Sequence, residues 1–579
     1  MSLVNFTING ISMQAEPGAT ILECAKSAGI HIPTLCHLNL HDTKMVNQVG
    51  TCRVCMVEVE GRRNLAPACN TAVAEGMAVR TDSVKAIKAR RKVVELLLSN
   101  HPKDCLVCAR NQNCELQSLA AELSIRRVRY DGKRNNFPWD TSSYSLVRDP
   151  NKCVLCRRCE TMCNKVQSVG VYSAVNRGFE TVIGTAFDEP MLDTVCTFCG
   201  QCVSVCPTGA LTQVDNTWAV WDAINNPDKF VIVQTAPAVR AALGEEFGMP
   251  VGSLVTGKMA SALRLLGFDK VYDTDFAADL TIMEEAHEFI ERVKNGGTLP
   301  ILTSCCPAWV KFIEHQFPEL LDIPSTCKSP HEMFGAVAKT HLAGKLGVDP
   351  ANMVVVSVMP CLAKKYEASR PELALESSPY VDYVITTREL GAMIREAGVR
   401  FASLPDGEFD SAMGESTGAS VIFGATGGVI EAALRTAYAW LTGEKPADVE
   451  FTALRGIKGI KEATYNIAGT DFKIAVASGL GNARELLERV RDNPDEYHAI
   501  EIMACPGGCV SGGGQPYHGN DPETYAKRAE AIYSEDRAKA LRYSHENPEV
   551  IALYEEFLGE PGSHRAHELL HTEYTKRTV

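Results

Sequence analysis

The chain has 579 residues, 45% of them hydrophobic, and a formal net charge of −13, which predicts several globular domains and disfavours nucleic acid or an anionic membrane as a partner. No apolar run is long enough to predict a membrane span. The opening residues, MSLVNFTING, lack the features of an export signal, so we expect a cytoplasmic protein. In that reducing compartment the 22 cysteines are expected to be metal ligands rather than disulfides.

Residues 1–80 resemble the β-grasp fold of plant-type [2Fe–2S] ferredoxins. VNFTINGISMQA predicts a hairpin, ATILECAKSAGI a helix, and MVEVE a strand, because its apolar residues alternate. Cys24, on that helix, is expected to be a buried apolar thiol. The four predicted cluster ligands are Cys36, Cys52, Cys55 and Cys69. Four thiolates also suit zinc, but the cluster motifs that follow favour iron and sulfur.

Residues 81–140 contain a second group of ligand types, within HPKDCLVCARNQNC. Its members are His101, Cys105, Cys108 and Cys114. Three thiolates and one imidazole can hold zinc or a [4Fe–4S] cluster. The alternative is that His101 is a bystander, but its position just before the CxxC pair favours a ligand. We expect a [4Fe–4S] domain whose cluster is held by one histidine and three cysteines.

Residues 141–215 repeat the spacing C-x2-C-x2-C-x3-C, which is typical of bacterial ferredoxins with two [4Fe–4S] clusters. In that pattern the fourth cysteine of each run binds the other run's cluster. One predicted ligand set is therefore Cys153, Cys156, Cys159 and Cys206, and the other is Cys196, Cys199, Cys202 and Cys163. With the preceding groups, this predicts one [2Fe–2S] and three accessory [4Fe–4S] clusters, which together form an electron-transfer chain.

After residue 215 the sequence changes to strand-then-helix units, and residues 216–525 are predicted to form a two-lobed α/β domain. KFVIVQT, NMVVVSVM, FKIAVA and EIM are apolar runs of the buried-strand type. Cysteines follow three predicted strands, at TSCCPAW, MPC and MACPGGC. Ligands in α/β folds gather at the carboxyl ends of strands, so we expect these cysteines to lie together.

TSCCPAW, MPCLAKKYEA and MACPGGCVSGGGQP resemble the three signatures of [FeFe]-hydrogenases, and the resemblance extends along almost the whole chain. It implies an H-cluster, a [4Fe–4S] cubane joined to a two-iron subsite with CO, CN and azadithiolate. The matching cubane ligands are Cys306, Cys361, Cys505 and Cys509, with Cys509 as the bridge to the subsite. Lys364 matches the residue that holds a cyanide, and the pocket residues match Ala236, Pro237, Met359 and Met503. Residues 526–579 resemble the family's small-subunit segment.

The same resemblance implies a proton relay through Cys305, Glu285, Ser325, Glu288 and Arg292. Glu285, Glu288 and Arg292 share one face of a predicted helix; without the resemblance, EEAHEFIER reads as a solvated, salt-bridged helix. All five relay positions match, which favours the relay.

Several nearby residues carry weaker predictions. Glu367 is expected to pair with Lys364 or Lys328, and Cys327 to be structural. His331 stands where we expect glutamine in this family, which leaves its contact open. GATGGVIEAALR lacks a phosphate-binding pattern and is expected to let a helix start approach the core, and the unevenly spaced tail histidines predict no metal site.

The predicted activity is reversible interconversion of H2 with protons and electrons. The expected partners are ferredoxin, a flavoprotein NAD(P)-reactive subunit and a small Fe–S subunit in a hetero-oligomer, with electron bifurcation; the expected host is an anaerobe. A stand-alone, ferredoxin-linked hydrogenase is the near alternative. A sensory or non-catalytic hydrogenase-like protein is disfavoured, because Cys305, the Glu285–Glu288 relay and Lys364 are all present.

Overall fold

The computed structural model describes residues 3–40, 45–47, 49–376, 378–446, 448–519 and 521–578. Within these ranges no helix combines the length and apolarity needed to cross a membrane. The first elements are β1 Val4–Ile8, β2 Ile11–Ala15, α1 Ile21–Ser27, β3 Asn39–Leu40, β4 Met45–Val46, β5 Met56–Val59, β6 Ala66–Pro67 and β7 Met77–Arg80.

The amino-terminal strands form a five-stranded sheet in the order β2-β1-β7-β5-β6, in which β1 and β7 are parallel and the other pairs antiparallel. The predicted hairpin, helix and strand are therefore confirmed as β1–β2, α1 and β5. α1 begins with a capping box between Thr20 and Glu23, which satisfies free backbone N–H groups at the helix start. Cys24 is buried in the core of this sheet and helix.

The two middle segments are built from short elements. They are α2 Val84–Asn100, α3 Glu115–Glu122, β8 Leu146–Arg148, α4 Arg158–Thr161, β9 Ser173–Val175, β10 Val182–Gly184, α5 Gln201–Val205 and β11 Leu211–Gln213. β8 pairs with β11 and β9 with β10, both antiparallel. The pairing of β8 with β11 joins the two ends of the cysteine repeat, which brings its first and last cysteines into the same region.

The first sheet of the next domain has the order β13-β12-β15-β16 and is entirely parallel. Its elements are α6 Thr217–Ile224, β12 Phe230–Thr235, α7 Thr256–Leu266, β13 Lys270–Asp273, α8 Thr274–Asn295, α10 Pro330–Val337, α11 Ala343–Leu346, β15 Met353–Met359, α12 Ala363–Glu367, β16 Tyr383–Thr386 and α13 Thr387–Glu396. All seven residues of β15 are buried, as expected for a central parallel strand covered on both faces.

The second sheet has the order β14-β19-β18-β17, with β17 antiparallel to β18 and the other pairs parallel. The strands of this sheet and the helices near it in the chain are β14 Ile301–Leu302, α9 Pro307–Gln316, α14 Gly418–Val421, α15 Gly428–Thr442, β17 Ile460–Ile467, β18 Thr470–Ser478, α16 Leu480–Asp492 and β19 Ala499–Met503. Two separate sheets agree with the predicted two-lobed α/β arrangement. The carboxyl ends of β14, β15 and β19 carry the three cysteine motifs.

The carboxyl-terminal elements are α17 Pro522–Ala538, α18 Pro548–Leu553 and α19 His564–Leu570. The sequence-based boundary at residue 526 falls inside α17. Apolar residues of α18 and α19, including Val550 and Leu570, belong to the same core as the first sheet. The tail therefore packs against the catalytic lobes.

Candidate active site

The three cysteine motifs of the catalytic domain meet at one cavity of about 80 Å³. Its lining contains five cysteines, which are Cys305, Cys306, Cys361, Cys505 and Cys509, together with Ala236, Pro237, Met359, Met503, His331 and Lys364. The motifs come from both sheets, so the cavity lies between the two lobes. The predicted cubane ligands, Cys305, Lys364 and the four predicted pocket residues are in this lining, whereas the other relay residues, Glu285, Ser325, Glu288 and Arg292, are not.

Four of these thiols lose their proton less readily in this environment than an ordinary cysteine does. Burial raises the pKa of Cys361 to about 12, and the charge of Cys306 adds to the shift. Burial, Cys361 and Cys306 act in the same direction on the pKa of Cys505 and of Cys509. Thiolates packed this closely need a cation to balance them, and iron takes four thiolates as ligands. The donor set therefore fits an iron–sulfur group.

Lys364 lies on α12 and is the cation of the cavity lining. Its Nζ donates to Glu367 Oε2 at 2.7 Å and to the carbonyl oxygen of Cys305 at 3.2 Å. Burial alone would lower the pKa of Lys364, but Glu367 outweighs burial and raises it. The predicted Lys364–Glu367 pairing is confirmed. A buried, permanently charged ammonium can hold an anionic ligand in the cavity.

Glu285 lies on α8, outside the cavity lining, and is 5% exposed. Neither of its carboxylate oxygens has a hydrogen-bond partner among the described residues, although the Ser304 backbone and the Ser325 side chain are near enough to favour its charged form. Burial first, and then the charge of Glu288, raise the pKa of Glu285 to about 8. Burial and the charge of Glu285 also raise the pKa of the Cys305 thiol. Both groups can thus hold a proton near neutral pH.

The outer part of the predicted relay is hydrogen-bonded. Ser325 Oγ donates to Glu288 Oε2 at 2.9 Å, and Arg292 Nη2 donates to Glu288 Oε1 at 2.5 Å. The side chains of Glu288 and Arg292 are 15% and 14% exposed. Ser325, Glu288 and Arg292 therefore form one connected, partly exposed group, while the relay as a whole stays a prediction. The reading of EEAHEFIER as a solvated helix is wrong at its first two glutamates, which are buried.

The carboxyl-terminal tail reaches this relay, which the sequence analysis missed. Thr326 donates its backbone N–H to Glu288 Oε2 at 3.2 Å, and its hydroxyl bonds to His571 Nδ1 at 2.7 Å. His571 Nε2 lies 3.0 Å from Glu284 Oε2, and Tyr574 donates its hydroxyl to the carbonyl oxygen of Ser325. The partners Thr326 and His571 are 245 residues apart in the chain, so no local pattern could have indicated these contacts.

Cys327 and Glu501 also have defined surroundings. Cys327 is buried, and its Sγ lies 3.9 Å from Glu288 Oε2. Glu501 accepts hydrogen bonds from the backbone N–H groups of Gly427 and Ile430, at the start of α15. A carboxylate therefore fills the helix start in GATGGVIEAALR, which fits the predicted close packing in the core.

The two thiol sets predicted from the cysteine repeat are each brought together. Cys153, Cys156, Cys159 and Cys206 line a second cavity, of about 20 Å³. In the other set, the charge of Cys163 acts on Cys196, Cys199 and Cys202. Each fourth cysteine therefore lies with the opposite run, as the spacing predicts.

The amino-terminal thiols are arranged less evenly. They form two pairs, in which Cys36 hydrogen-bonds to Cys52 and Cys55 hydrogen-bonds to Cys69. The charge of Cys36 also acts to raise the pKa of both Cys55 and Cys69. These four ligand candidates are therefore together.

In the segment with one histidine and three cysteines, the contacts are fewer. The charge of Cys108 acts on Cys114, and Cys105 is exposed. His101 is half-buried, and its enclosed Nδ1 lacks a partner in the described part of the chain. The ligand set predicted for this segment therefore stays a prediction.

A close approach of backbones joins the cysteine repeat to the cavity. Gly200 has a φ of +74°, and a Cβ at this position would lie 2.4 Å from Leu362 Cδ1. Gln201 Nε2 donates to the carbonyl oxygen of Ser511 at 3.0 Å, and the charge of Cys199 reaches Cys505. The second thiol set therefore lies next to the catalytic thiols.

Five family descriptions match successive parts of the chain. Residues 2–84 match "2Fe-2S iron-sulfur cluster binding domain", and residues 90–129 match "NADH-ubiquinone oxidoreductase-G iron-sulfur binding region". Residues 152–210 match "4Fe-4S dicluster domain". Residues 229–513 match "Iron only hydrogenase large subunit, C-terminal domain", and residues 522–577 match "Iron hydrogenase small subunit".

Individual proteins match over long ranges. The chain is 58% identical over 583 residues to "NADP-reducing hydrogenase subunit HndD" of Solidesulfovibrio fructosivorans, with 100% of both chains covered. It is 42% identical to "Iron hydrogenase 1" of Clostridium pasteurianum, over 98% of this chain and 99% of that one. A solved structure of apo [FeFe]-hydrogenase HydA1 from Chlamydomonas reinhardtii matches with a TM-score of 0.57 and 40% identity, covering 63% of this chain and 100% of that chain.

Proposed function

This chain belongs to the [FeFe]-hydrogenases, oxidoreductases that act on H2, and we propose that it is the H2-activating subunit of a multimeric, NADP-linked enzyme. The observation that carries the proposal is the cavity between the lobes, which five cysteines and one lysine surround. Cys306, Cys361, Cys505 and Cys509 would hold the cubane of an H-cluster. Such a cluster supplies the iron centre at which H2 is split and formed.

The remaining cavity residues bind and shape that group. Lys364 presents an ammonium to an anionic cyanide ligand, with Glu367 fixing its position. Ala236, Pro237, Met359 and Met503 provide an apolar surface that restricts water. Cys305 has its thiol at the cavity and a raised pKa, so it can carry a proton to and from the reacting centre.

Protons then pass between Cys305 and solvent along α8. Glu285 receives the proton from Cys305, and Glu288 exchanges it through Ser325, with Arg292 orienting the Glu288 carboxylate. General acid–base groups need a pKa near the working pH. The pKa of about 8 for Glu285 supports this role.

Electrons leave through the thiol sets that run from the cavity toward the amino terminus. The charge of Cys199 reaches Cys505, so a cluster held by Cys196, Cys199, Cys202 and Cys163 would lie near the cubane and could exchange electrons with it. The full proposal is three accessory [4Fe–4S] clusters and one [2Fe–2S] cluster, in domains 1–80, 81–140 and 141–215, with the catalytic domain at 216–525 and the tail at 526–579. His101 and Cys36 belong to two separate outer branches, which suits two redox partners.

The partners in this proposal are a flavoprotein subunit that reacts with NADP, a small Fe–S subunit and ferredoxin, with electron bifurcation among them in an anaerobe. The full-length similarity to a subunit named for NADP reduction supports the multimeric form. A cytoplasmic location is part of the proposal, because a reducing compartment keeps 22 cysteines available as ligands.

Infrared spectroscopy of protein matured with its assembly factors tests the active site. Bands of bound carbon monoxide and cyanide are expected, and they should be lost in Cys509→Ser while the accessory clusters keep their electron paramagnetic resonance signals. An active preparation without those bands would contradict the H-cluster assignment.

The nearest alternative is a stand-alone, ferredoxin-linked enzyme, which the full-length match to "Iron hydrogenase 1" favours. The purified chain alone should reduce an artificial dye with H2 but should not reduce NADP. Adding a co-purified flavoprotein subunit should restore NADP reduction. NADP reduction by the chain alone, or no gain on adding that subunit, would contradict the multimeric proposal.

A further inference from the structure

The cavity wall next to Lys364 contains a second buried charge pair. His331 and Glu332 are 1% and 0% exposed, and they occupy the first turn of α10. His331 Nε2 lies 2.9 Å from Glu332 Oε1 and 2.8 Å from Glu367 Oε2. His331 itself lines the cavity, so this pair is part of the wall and not a remote structural feature.

Glu367 connects the two pairs. Its Oε2 accepts from Lys364 Nζ at 2.7 Å and is 2.8 Å from His331 Nε2. Lys364 and Glu367 are spaced i, i+3 on α12, so the contact with α10 adds a tertiary restraint to a local pair. An ammonium has three N–H donors, and Glu367 and the Cys305 carbonyl use two of them. The third is left for the cavity.

The balance of charge depends on the imidazole. Glu332 and Glu367 bring two buried negative charges, and Lys364 supplies one positive charge to this group. Lys328 also faces Glu332, but its Nζ donates to the carbonyl oxygen of Leu569 at 2.8 Å and forms no ion pair with Glu332 within 4.0 Å in the described contacts. An uncompensated buried carboxylate is costly, so a protonated His331 is the group that completes the balance.

We propose that His331 is a positioning residue, held as an imidazolium by Glu332 and Glu367, which fixes the shared Glu367 oxygen and thereby aims the Lys364 ammonium into the cavity. Ser357 Oγ, 3.3 Å from His331 Nδ1, completes the surroundings of the ring. The direction of the pKa shift agrees: burial and Lys364 would lower the pKa of His331, but Glu332 and Glu367 outweigh them and raise it.

A double-mutant cycle on the full chain tests the charge pair without reference to catalysis. His331→Gln leaves Glu332 unbalanced, and Glu332→Gln leaves the imidazolium with one carboxylate fewer. Each single variant should lower the melting temperature by about 5–10 °C, and His331→Gln/Glu332→Gln should recover most of the loss. The matched control is His341→Gln with Glu556→Gln, a pair of the same residue types at 3.8 Å whose glutamate is 49% exposed; it should show no coupling.

Infrared spectra of the matured variants test the effect on Lys364, and this arm alone rests on the proposed function. The cyanide bands should shift in His331→Gln, because the unpaired Glu332 draws the ammonium away from the cavity, and they should return close to the wild-type positions in the double variant. Losses that simply add in the double variant would overturn the charge pair. Recovery of stability with unchanged cyanide bands in His331→Gln would overturn the positioning role, whereas absence of cyanide bands in every protein would instead contradict the proposed function.

A bound metal ion is the other way to balance the charge of these carboxylates, because His331, Glu332 and Glu367 are close enough to hold an ion. Metal analysis tests this alternative. We expect no divalent metal other than iron in purified protein. One equivalent of zinc or another divalent ion that disappears in Glu332→Gln would overturn the imidazolium assignment.

Discussion

Two buried carboxylates lie near Cys305, and they differ chiefly in their partners. Glu285 on α8 is 5% exposed and Glu367 on α12 is 6% exposed. Glu285 has no cation beside it and has Glu288 nearby, so burial and like charge raise its pKa to about 8. Burial would raise the pKa of Glu367 as well, but Lys364 and His331 outweigh burial and hold it well below its usual range.

This difference in pKa gives the two carboxylates separate roles at one cavity. A carboxylate whose pKa is low keeps its charge throughout the physiological range, so Glu367 can orient Lys364 but cannot exchange protons. A carboxylate whose pKa lies near neutrality gains and loses a proton easily. Opposite shifts in neighbouring acids are a common sign of divided roles at a catalytic site, and they assign proton transfer to the α8 side.

The largest expected effect comes from removing the thiol between the two carboxylates. Cys305→Ala should lower H2 turnover by about 10²–10⁴-fold, the range for loss of a general acid–base group, because Glu285 can no longer be reached. Turnover with a reduced dye and iron content are measured together. Cys305→Asp should retain part of the activity. Cys327→Ser, a change at another buried thiol, should keep most of the activity; unaltered turnover in Cys305→Ala with intact clusters would refute the relay.

The next test acts on Glu285 alone. Glu285→Gln should reduce turnover by about 10²-fold, while Glu285→Asp, which keeps a titratable group, should lose less. The measurement is turnover from about pH 6 to 9, a range that brackets the raised pKa, with the cyanide and carbon monoxide bands recorded as a check on the site. Equal activity of the glutamine variant and the wild type would mean that the raised pKa has no catalytic consequence.

The two carboxylates should also affect stability with opposite pH dependence. Folded Glu285 binds a proton between its ordinary pKa of 4.5 and about 8, so its contribution to stability falls as pH rises through that window, by at most about 1.4 kcal/mol per pH unit. Glu285→Gln should remove this slope. Glu367 gives stability that is fully present above its ordinary pKa of 4.5 and is lost below it. In a His331→Gln background, which removes the coupled imidazole, Glu367→Gln should therefore leave the slope between about pH 5 and 8 unchanged.

Denaturant unfolding at several pH values, on protein without the two-iron subsite, measures both slopes. An unchanged slope in Glu285→Gln, or a flattened one when Glu367→Gln is added to His331→Gln, would reverse the comparison.

The smallest effect is expected on the electron side of the cavity. Gly200→Ala should destabilise the protein by about 1–3 kcal/mol more than Gly170→Ala. Both glycines have positive φ, but only at Gly200 would the added Cβ meet another side chain, that of Leu362, whereas nothing lies within 4 Å at Gly170. Unfolding curves of the two variants give the difference. Equal losses would mean that the cysteine repeat does not pack tightly on the catalytic loops.

The metal-binding residues of this protein could be predicted from sequence much more fully than the contacts of its proton-transfer residues. Thiol spacing is local, and it indicated which cysteines lie together in the repeat and at the ends of β14, β15 and β19. The strands and helices followed from apolar periodicity for the same reason. Three other features depend on segments that meet only after folding. They are the absence of a hydrogen-bond partner for Glu285 among the described residues, the hydrogen bond between His571 and Thr326, and the contact of His331 with Glu367. The approach of Gly200 to Leu362 is of the same kind.

The most direct test of the central claim is an infrared difference spectrum in the carboxylic-acid C=O region, recorded in H2O and D2O as the enzyme is reduced. We predict a deuterium-sensitive band from a protonated carboxylic acid that is lost in Glu285→Gln and retained in Glu367→Gln. A band that persists in Glu285→Gln, or that disappears only in Glu367→Gln, would contradict the assignment of the exchangeable proton to the α8 side of the cavity.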